Sequence, residues 1–356
     1  MSTVHLLPAA ACADEADLPR AVAALWRAAD LARCFRPGDL CAVKLHVGEP
    51  GLITGLRPAL ARELARLVAA TGARPFLTDT AVLYRSARDT GPGHALLAHE
   101  RGFGIEAVGA PFLPADGLVG ADEVEVPIRG QHFETVSVAA GIARARSMLV
   151  LSHATGHLGT GLGAALKNLG MGCVSRKAKL RQHHGQRPRI DGRACTACGE
   201  CASWCPSSAI VVKRAARIDG GLCIGCGECI AVCRDGAVSF DWAVNGRELQ
   251  ERMVEHAAGV VRGRPGRIAY VTAATGITRD CDCLGLRQEP LLPDIGLLAS
   301  TDPVAIDAAV LDLVAERAGR TLESMSYPGH DARVQVACAE RLGLGSARYD
   351  LAVVDP

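Results

Sequence analysis

Eight cysteines in the middle of the chain fall into two runs with the same spacing. In each run three cysteines are separated by two residues, and a fourth follows after three more. The runs comprise Cys195, Cys198, Cys201 and Cys205, and then Cys223, Cys226, Cys229 and Cys233. Thiolates at this spacing hold [4Fe–4S] clusters, because three of them on one tight loop can each reach a different iron. The pattern therefore predicts one-electron chemistry.

The fourth cysteine of each run is expected to serve the cluster of the other run, as it does in sequences with this pattern. The first cluster is then expected on Cys195, Cys198, Cys201 and Cys233, and the second on Cys223, Cys226, Cys229 and Cys205. A pair of zinc sites is the alternative, but zinc usually takes its four ligands as two separated pairs. Residues 191–245 are thus predicted to form a bacterial two-[4Fe–4S] ferredoxin-like α+β domain.

Three further cysteines outside the two runs are candidates for a separate reactive site. Cys281 and Cys283 flank one aspartate in a loop after a strand-like run, and Cys173 follows a glycine-rich stretch. Three thiolates can hold a third [4Fe–4S] cluster with one iron open to a substrate. A redox-active or persulfide-carrying thiol pair is a second alternative. Buried inert thiols are a third, because free cysteine is usually buried. The sequence leaves all three open.

Basic, acidic and imidazole side chains follow several of the predicted strands. Ligands of open α/β sheets bind beyond the carboxyl ends of the strands, and a glycine-rich loop before a helix presents N–H groups to an anion. We expect a site for a small anionic substrate here, with histidines and lysines as proton donors. For each residue the simpler alternative is a polar strand edge, a helix cap or a turn. The candidates are Lys44, His46, Asp79, His153, His157 and Lys167.

Two longer α/β stretches flank the eight-cysteine segment and must position these side chains. Their apolar runs predict an α/β domain whose mixed or parallel sheet carries helices on both faces. The predicted boundaries are 1–190 for its first part, 191–245 for the inserted domain and 246–356 for its second part. Asp302 and Pro303 are expected to cap a helix that ends near residue 318. Other expectations are strands at 40–47, 74–78, 105–108 and 147–151, and helices at 56–70, 136–144 and 247–261.

The bulk composition excludes some classes of partner. The 356 residues carry a net charge of +1 and only 4% aromatic side chains, so neither nucleic acid nor a membrane surface is expected as a partner. Fifteen cysteines in so large a chain, eight of them in tight runs, indicate metal in a reducing cytoplasm rather than disulfides. A homodimer is expected only because two-fold oligomers are common.

Several motifs together resemble one family. The chain is similar to the uncharacterised "Fe–S center protein" family, whose members join a domain of unknown function to a two-cluster ferredoxin domain. The resemblance implies this architecture and cluster content but no reaction. Val82 and Leu83 depart from it, since more polar residues are expected before Tyr84. The motifs are KLHVGEPG at 44–51, LTDT at 77–80, GHLGTGLG at 156–163, ALKNLGMGC at 165–173, KLRQ at 179–182, CDC at 281–283, PDIG at 293–296 and DPVAID at 302–307.

The function expected from the sequence is that of an iron–sulfur oxidoreductase. Electrons from a donor such as ferredoxin or flavodoxin would pass through two clusters to a site in the α/β domain. There they would reduce a small anionic substrate or transfer sulfur to it, with Cys173, Cys281 and Cys283 in the mechanism. Two alternatives stand beside this expectation. One is an electron-transfer subunit that docks on a separate enzyme, and the other is a scaffold that delivers clusters or metal.

Overall fold

The computed structural model describes residues 2–183, 187–223, 225, 227–239 and 246–355. Cys226, one of the expected cluster ligands, lies outside these ranges, as do residues 240–245 at the end of the eight-cysteine segment. No helix within the described ranges is long and apolar enough to cross a membrane.

The strands of the described residues are short, and seven of the fifteen belong to one sheet. They are β1 Ser2–Pro8, β2 Leu40–Lys44, β3 Arg74–Thr78, β4 Glu123–Pro127, β5 Thr135–Ala139, β6 Ser147–His153, β7 Thr155–His157, β8 Gly161–Gly163, β9 Arg189–Ile190, β10 Ile210–Val212, β11 Ala216–Ile218, β12 Val238–Ser239, β13 Ile268–Ala274, β14 Gly296–Ser300 and β15 Tyr349–Val353.

The helices range from single turns to four turns. They are α1 Leu18–Ala28, α2 Pro58–Ala70, α3 Gly91–Ala98, α4 Ile105–Val108, α5 Ala140–Arg144, α6 Ala165–Gly170, α7 Arg176–Gln182, α8 Glu200–Ser203, α9 Glu228–Val232, α10 Gly246–Val261, α11 Pro303–Ala318, α12 Leu322–Met325 and α13 Arg333–Arg341.

The main sheet has seven strands in the order β15-β1-β14-β13-β6-β2-β3. The four strands β13, β6, β2 and β3 run parallel to one another, whereas β14 is antiparallel to both of its neighbours. Strands from both sides of the eight-cysteine segment therefore join in one mixed sheet. Because β13, β6, β2 and β3 are parallel, their carboxyl ends lie along one edge, where open α/β sheets bind ligands.

Both faces of the sheet are covered, as β6 illustrates. Met148 and Val150 pack into a core that includes side chains of α6, α10 and α11. Leu149 and Leu151 point to the opposite face and pack against α1 and α2. A strand buried on both sides reads as a continuous apolar run. The expected mixed α/β architecture with helices on both faces is confirmed.

The described part of the eight-cysteine segment is built from two similar halves. β9 pairs with β12 and β10 pairs with β11, both antiparallel. One short helix in each half, α8 or α9, begins after a glycine with positive φ, Gly199 at +84° and Gly227 at +79°. Glycine adopts this left-handed conformation without the steric cost other residues meet. The shared geometry follows the repeat in the sequence.

Two predicted elements are wrong, and one cap is confirmed. Residues 105–108 form the single helical turn α4, because an apolar run of four residues is too short for its periodicity to decide. Residues 136–139 belong to strand β5, where Val136 and Val138 pair with Val126 and Val124, and only Ala140–Arg144 is helical. The Asp302 side chain accepts from two backbone N–H groups at the start of α11, as predicted.

Candidate functional site

The eight-cysteine segment encloses two cavities, and cysteines from both runs line each of them. The first cavity is lined by Cys195, Cys198, Cys201 and Cys233. The second is lined by Cys205, Cys223 and Cys229. Each cavity thus combines the close cysteines of one run with the distant fourth cysteine of the other.

The described cysteines around these cavities are not part of a compact three-ligand group. Four thiolates on a zinc ion, with Zn–S bonds of about 2.3 Å, would lie about 3.8 Å from one another. Among the described residues, the group of three metal-binding side chains whose ligand atoms all lie within 4.8 Å is His157, Cys281 and Cys283. These three residues form a candidate metal site in the α/β domain.

Backbone amides point at two of the cavity sulfurs. The Ala216 N–H group donates to Cys195 Sγ at 3.3 Å, and the Ala209 N–H group donates to Cys205 Sγ at 3.2 Å. Burial opposes ionisation of Cys205, but hydrogen bonds from the Ser207 side chain and from backbone amides lower its pKa. At Cys205 these contacts favour the thiolate over the thiol.

The polar candidates of the α/β domain converge at the carboxyl edge of the parallel strands. Lys44 ends β2, Asp79 follows β3, His153 ends β6, and the loop of residues 275–287, here called the CDC loop, follows β13. Lys44 is fully buried, and its Nζ lies 2.9 Å from Asp79 Oδ1 and donates to Asn168 Oδ1 at 2.6 Å. The strand ends thus bring the expected residues together.

Asp79 is the buried anion at the centre of this network. Its Oδ2 lies 3.7 Å from Arg88 Nη1 and 3.6 Å from His94 Nε2. Burial opposes its ionisation, but the Lys44 ammonium and, after it, the neighbouring His94, His46 and Arg88 side chains lower the pKa of Asp79. Burial also lowers the pKa of His94, to about 3. At neutral pH, Asp79 is therefore a carboxylate and His94 an uncharged ring.

Three residues missed as candidates form a second layer beside this network. The Arg88 guanidinium donates to Glu49 Oε1 at 2.7 and 2.9 Å and to the Tyr84 hydroxyl at 2.6 Å. The Tyr84 hydroxyl lies 2.8 Å from the Cys283 carbonyl oxygen, to which it donates. The one sequence signal for Tyr84 and Arg88 is that they follow Asp79 within ten residues. Tyr84 connects this layer to the CDC loop.

In the CDC loop, Cys281 and Cys283 are joined by a disulfide. The intervening Asp282 is buried and accepts from His153 Nδ1 at 2.9 and 3.0 Å, while His153 Nε2 lies 2.8 Å from the Thr275 carbonyl oxygen. Burial opposes protonation of His153, but the Asp282 carboxylate raises its pKa. Both ring nitrogens of His153 therefore act as donors. The ion pair of His153 with Asp282 holds the CDC loop at the residue between the two cysteines.

Lys167 brings a cationic group to the disulfide. Its Nζ lies 3.7 Å from Cys283 Sγ, and burial lowers the pKa of the amine to about 8. The helix that carries Lys167, α6, is capped by Asp307, which accepts from the N–H groups of Ala165 and Leu166 at 2.9 and 2.8 Å. The amine remains mostly protonated at pH 7 and is positioned to stabilise a thiolate on Cys283.

The tautomers of His157 and His46 follow from the backbone. His157 Nδ1 accepts from the N–H groups of Gly159 and Thr160 at 3.1 and 3.0 Å, and His46 Nδ1 accepts from Gly48 N–H at 2.9 Å. A backbone N–H group can only donate, so neither Nδ1 carries a proton. Burial lowers the pKa of both rings. Each ring is therefore neutral and carries its proton on Nε2.

Cys173 is placed apart from the other two extra cysteines. It lies in the hydrophobic core, and its thiol donates to the Asn168 carbonyl oxygen at 3.4 Å. Burial raises the pKa of this thiol to about 11. The structure thus brings Cys281 and Cys283 together with His157, and Cys173 is not a member of that group.

One short stretch joins the eight-cysteine segment to the CDC loop. Leu83 and Leu180 pack in the same cluster as Cys201 and Cys229, the core of the eight-cysteine segment. The next residue after Leu83 is Tyr84, which contacts the Cys283 carbonyl oxygen. Packing against this core accounts for an apolar side chain at position 83, where a polar one was expected.

A comparison with protein-family models matches residues 41–312 to the domain of unknown function DUF362. The chain belongs to the DUF362 family. The match covers most of the chain and confirms the domain of unknown function that the motifs indicated. The family match does not bear on the iron–sulfur clusters that were also expected. No curated protein matches the DUF362 chain.

The DUF362 chain also has a distant likeness to a solved structure, the lactate racemase apoprotein from Thermoanaerobacterium thermosaccharolyticum. The TM-score is 0.39 at 10% sequence identity, and the alignment covers 77% of this chain. The chain spans 50% of the length of that protein. A likeness at this level carries no argument about function.

Proposed function

We propose that this DUF362 chain is an iron–sulfur oxidoreductase that passes low-potential electrons to Cys281 and Cys283 in its α/β domain. Two [4Fe–4S] clusters would supply one-electron transfer when bound. The first would be held by Cys195, Cys198, Cys201 and Cys233, and the second by Cys205, Cys223, Cys226 and Cys229. The reaction at the α/β site is the reduction of a small anionic substrate, or sulfur transfer to it.

The shape of the eight-cysteine segment supports the cluster assignment. Each cavity combines cysteines of both runs, and among the described cysteines that line them no three sulfurs all lie within 4.8 Å of one another. The N–H groups of Ala209 and Ala216 donate to lining sulfurs. Hydrogen bonds of this kind tune the potentials of iron–sulfur clusters. The donor set and its spacing fit cubane clusters.

The observation that carries the proposal is the link between the core of the eight-cysteine segment and the CDC loop. Leu83 belongs to the same hydrophobic cluster as Cys229, which lines the second cavity, and Tyr84 donates to the Cys283 carbonyl oxygen. Two consecutive residues therefore connect the cluster around that cavity to the cysteine pair. A simple electron carrier has no need of such a connection, because its electrons leave at the protein surface.

The residues around the cysteine pair have separable tasks in this proposal. The buried network of Lys44, Asp79 and Arg88 fixes the ends of β2 and β3. Lys167 provides a positive charge beside Cys283, and His157 provides a proton on Nε2. A third cluster on Cys173, Cys281 and Cys283 lacks comparable support, because Cys173 lies outside the group.

The electron donor would be an acidic one-electron carrier such as ferredoxin or flavodoxin. Arg193, Lys213, Arg214 and Arg217 are exposed near the first cavity, which Ala216 helps to line. Within the described part of the chain, none of these four cations forms an ion pair. An exposed patch of one sign steers a partner of the opposite sign.

Metal analysis of crossed variants tests the cluster assignment. Protein purified without oxygen is expected to contain about eight irons and eight acid-labile sulfides per chain, as two cubanes require. Cys233→Ala is expected to remove the first cluster's signal in electron paramagnetic resonance, and Cys205→Ala that of the second. Stoichiometric zinc in place of iron, or loss of the wrong signal in either variant, would overturn the assignment.

A further inference from the structure

We propose that Cys281 and Cys283 are a dithiol–disulfide pair that reduces a disulfide bond of its substrate, with Cys283 as the attacking sulfur and Cys281 as the resolving one. This inference rests on the proposed function only for the electrons that restore the dithiol. The sulfur chemistry itself needs no cluster, so the two can fail separately.

The two sulfurs differ in access. Cys281 is buried, whereas Cys283 is half-buried, so an incoming molecule meets Cys283 first. Lys167 Nζ also lies beside Cys283, at 3.7 Å from its sulfur. A thiolate is the nucleophile in disulfide exchange, and a nearby cation favours it over the thiol. Access and charge therefore select the same cysteine for attack.

The loop is held at Asp282, between the two cysteines, and at the Cys283 carbonyl oxygen, so the sulfurs stay adjacent after reduction. Asp282 is bound to His153, and His153 is bound in turn to the Thr275 carbonyl oxygen. Tyr84 holds the carbonyl oxygen of Cys283. These contacts involve no sulfur atom and do not depend on the disulfide. The resolving thiol thus remains within reach of the attacked sulfur.

His157 acts as a proton donor rather than as a metal ligand. Its Nδ1 lone pair is occupied by two backbone N–H groups, and the proton on Nε2 blocks the remaining nitrogen. A neutral imidazole binds a metal through an unprotonated nitrogen. One nitrogen of the ring lies within 4.8 Å of both sulfurs. In this proposal the neutral ring gives its Nε2 proton to a departing thiolate.

The steps balance as an ordinary thiol–disulfide exchange. The Cys283 thiolate attacks one sulfur of the substrate R–S–S–R′, forms a Cys283–S–S–R mixed disulfide and releases R′–S⁻. The Cys281 thiolate then attacks Cys283 Sγ, forms the internal disulfide and releases R–S⁻. Two electrons and two protons restore the dithiol, and two equivalents of a low-potential one-electron donor supply the electrons. In sum, R–S–S–R′, two electrons and two protons give R–SH and R′–SH.

The surroundings indicate what kind of disulfide binds. Ile53, Leu158, Leu284 and Leu286 are exposed apolar side chains on the CDC loop or on loops that adjoin it. The loop of residues 49–51 contacts Gly285, and Leu158 follows His157 directly. With Lys167 at the sulfur, this apolar rim fits a disulfide that carries both apolar groups and a negative charge. A small molecule and a protein surface can both meet that description.

Trapping of the mixed disulfide tests the proposal on the full chain. The protein is reduced with a phosphine, freed of reductant without oxygen, and mixed with 5,5′-dithiobis(2-nitrobenzoate) or, separately, with a disulfide-containing protein such as insulin. Peptide mass mapping then locates the adduct. Cys281→Ser is expected to accumulate a mixed disulfide on Cys283. Cys283→Ser is expected to form none on Cys281, and Cys338→Ala is the matched control with a distant buried cysteine removed.

The outcomes separate this proposal from the proposed function. A Cys283 adduct with either probe supports the pair and identifies the source of the disulfide. No adduct in Cys281→Ser with either probe, or an adduct on Cys281 in Cys283→Ser, overturns it, provided that each variant keeps the circular dichroism of the wild type. Because phosphine replaces the clusters as reductant, these results do not depend on iron content.

Discussion

Replacement of Lys167 by methionine removes the cation beside Cys283 and retains an unbranched side chain of similar length. Two unit charges 3.7 Å apart attract by about 1 kcal/mol at the dielectric constant of water and by about 4.5 kcal/mol at an effective value near 20. The Lys167 residue as a whole is half-buried, so we take a loss of about 2 kcal/mol of thiolate stabilisation, between these two limits. That loss lowers the thiolate fraction about 30-fold.

The rate falls less than the thiolate fraction does. A thiolate that is harder to form is also a better nucleophile. With a Brønsted coefficient near 0.5, this higher reactivity offsets about half of the loss in thiolate fraction on a logarithmic scale. Lys167→Met is therefore expected to slow exchange at Cys283 about 5-fold at pH 7, within bounds of about 3-fold and 40-fold. Lys177→Met, which removes a lysine paired with Glu123, is the matched control and should not change the rate.

The assay follows 5,5′-dithiobis(2-nitrobenzoate) consumption by the phosphine-reduced chain, with mass mapping to isolate reaction at Cys283. Because burial lowers the pKa of Lys167 to about 8, the amine is mostly charged at pH 7 and mostly neutral at pH 9. The advantage of wild type over Lys167→Met should thus shrink as pH rises through 8. Equal rates at pH 7, or an advantage that grows with pH, would refute the role given to this amine.

Lys44→Met removes the nearest cation from the buried Asp79 carboxylate and leaves only Arg88, at 3.7 Å, so it should lower the free energy of unfolding by about 3 kcal/mol in denaturant titrations. Lys44→Met with Asp79→Asn should recover much of that loss, whereas an unchanged midpoint in the single variant would argue against the buried pair. Tyr84→Phe removes a hydrogen bond worth about 1 kcal/mol. In stopped-flow measurements, electron transfer from the prereduced clusters to the cysteine pair should slow several-fold at constant iron content. An unaltered rate would mean that Tyr84 takes no part in the connection. Lys213→Glu combined with Arg214→Glu should slow reduction by an acidic ferredoxin about tenfold or more at low salt, and the difference should fade at high salt; a deficit that persists there would point to another docking face.

The parts of the site that follow strand ends could be predicted from the sequence. Lys44 and Asp79 sit at the ends of apolar runs, and parallel strands bring such ends to one edge. The same rule places His153 there, because β6 is buried on both faces and reads as a continuous apolar run. The helix cap at Asp302 was predictable for a local reason, since the residues that make it are neighbours in the chain.

The choice of neighbours around the cysteine pair could not be predicted in this way. Cys173 and His157 both lie in or near the glycine-rich stretch, and only the packing of β7, β8 and α6 decides which of them faces the CDC loop. Glu49 and Tyr84 both accept hydrogen bonds from Arg88. Glu49 is far from the other two residues in the sequence, so no local pattern predicts this contact. Helix α4 was predicted as a strand because four residues cover little more than one helical turn, too few to show a repeat.

The central claim is that electrons taken up by the eight-cysteine segment reach Cys281 and Cys283. An anaerobic reductive titration with dithionite tests it most directly, because it counts electrons per chain. Wild-type protein should accept about four, one for each cluster and two for the disulfide, whereas Cys281→Ala combined with Cys283→Ala should accept about two with its eight irons intact. An uptake of two electrons by both proteins would contradict the claim and leave the cysteine pair outside the electron path.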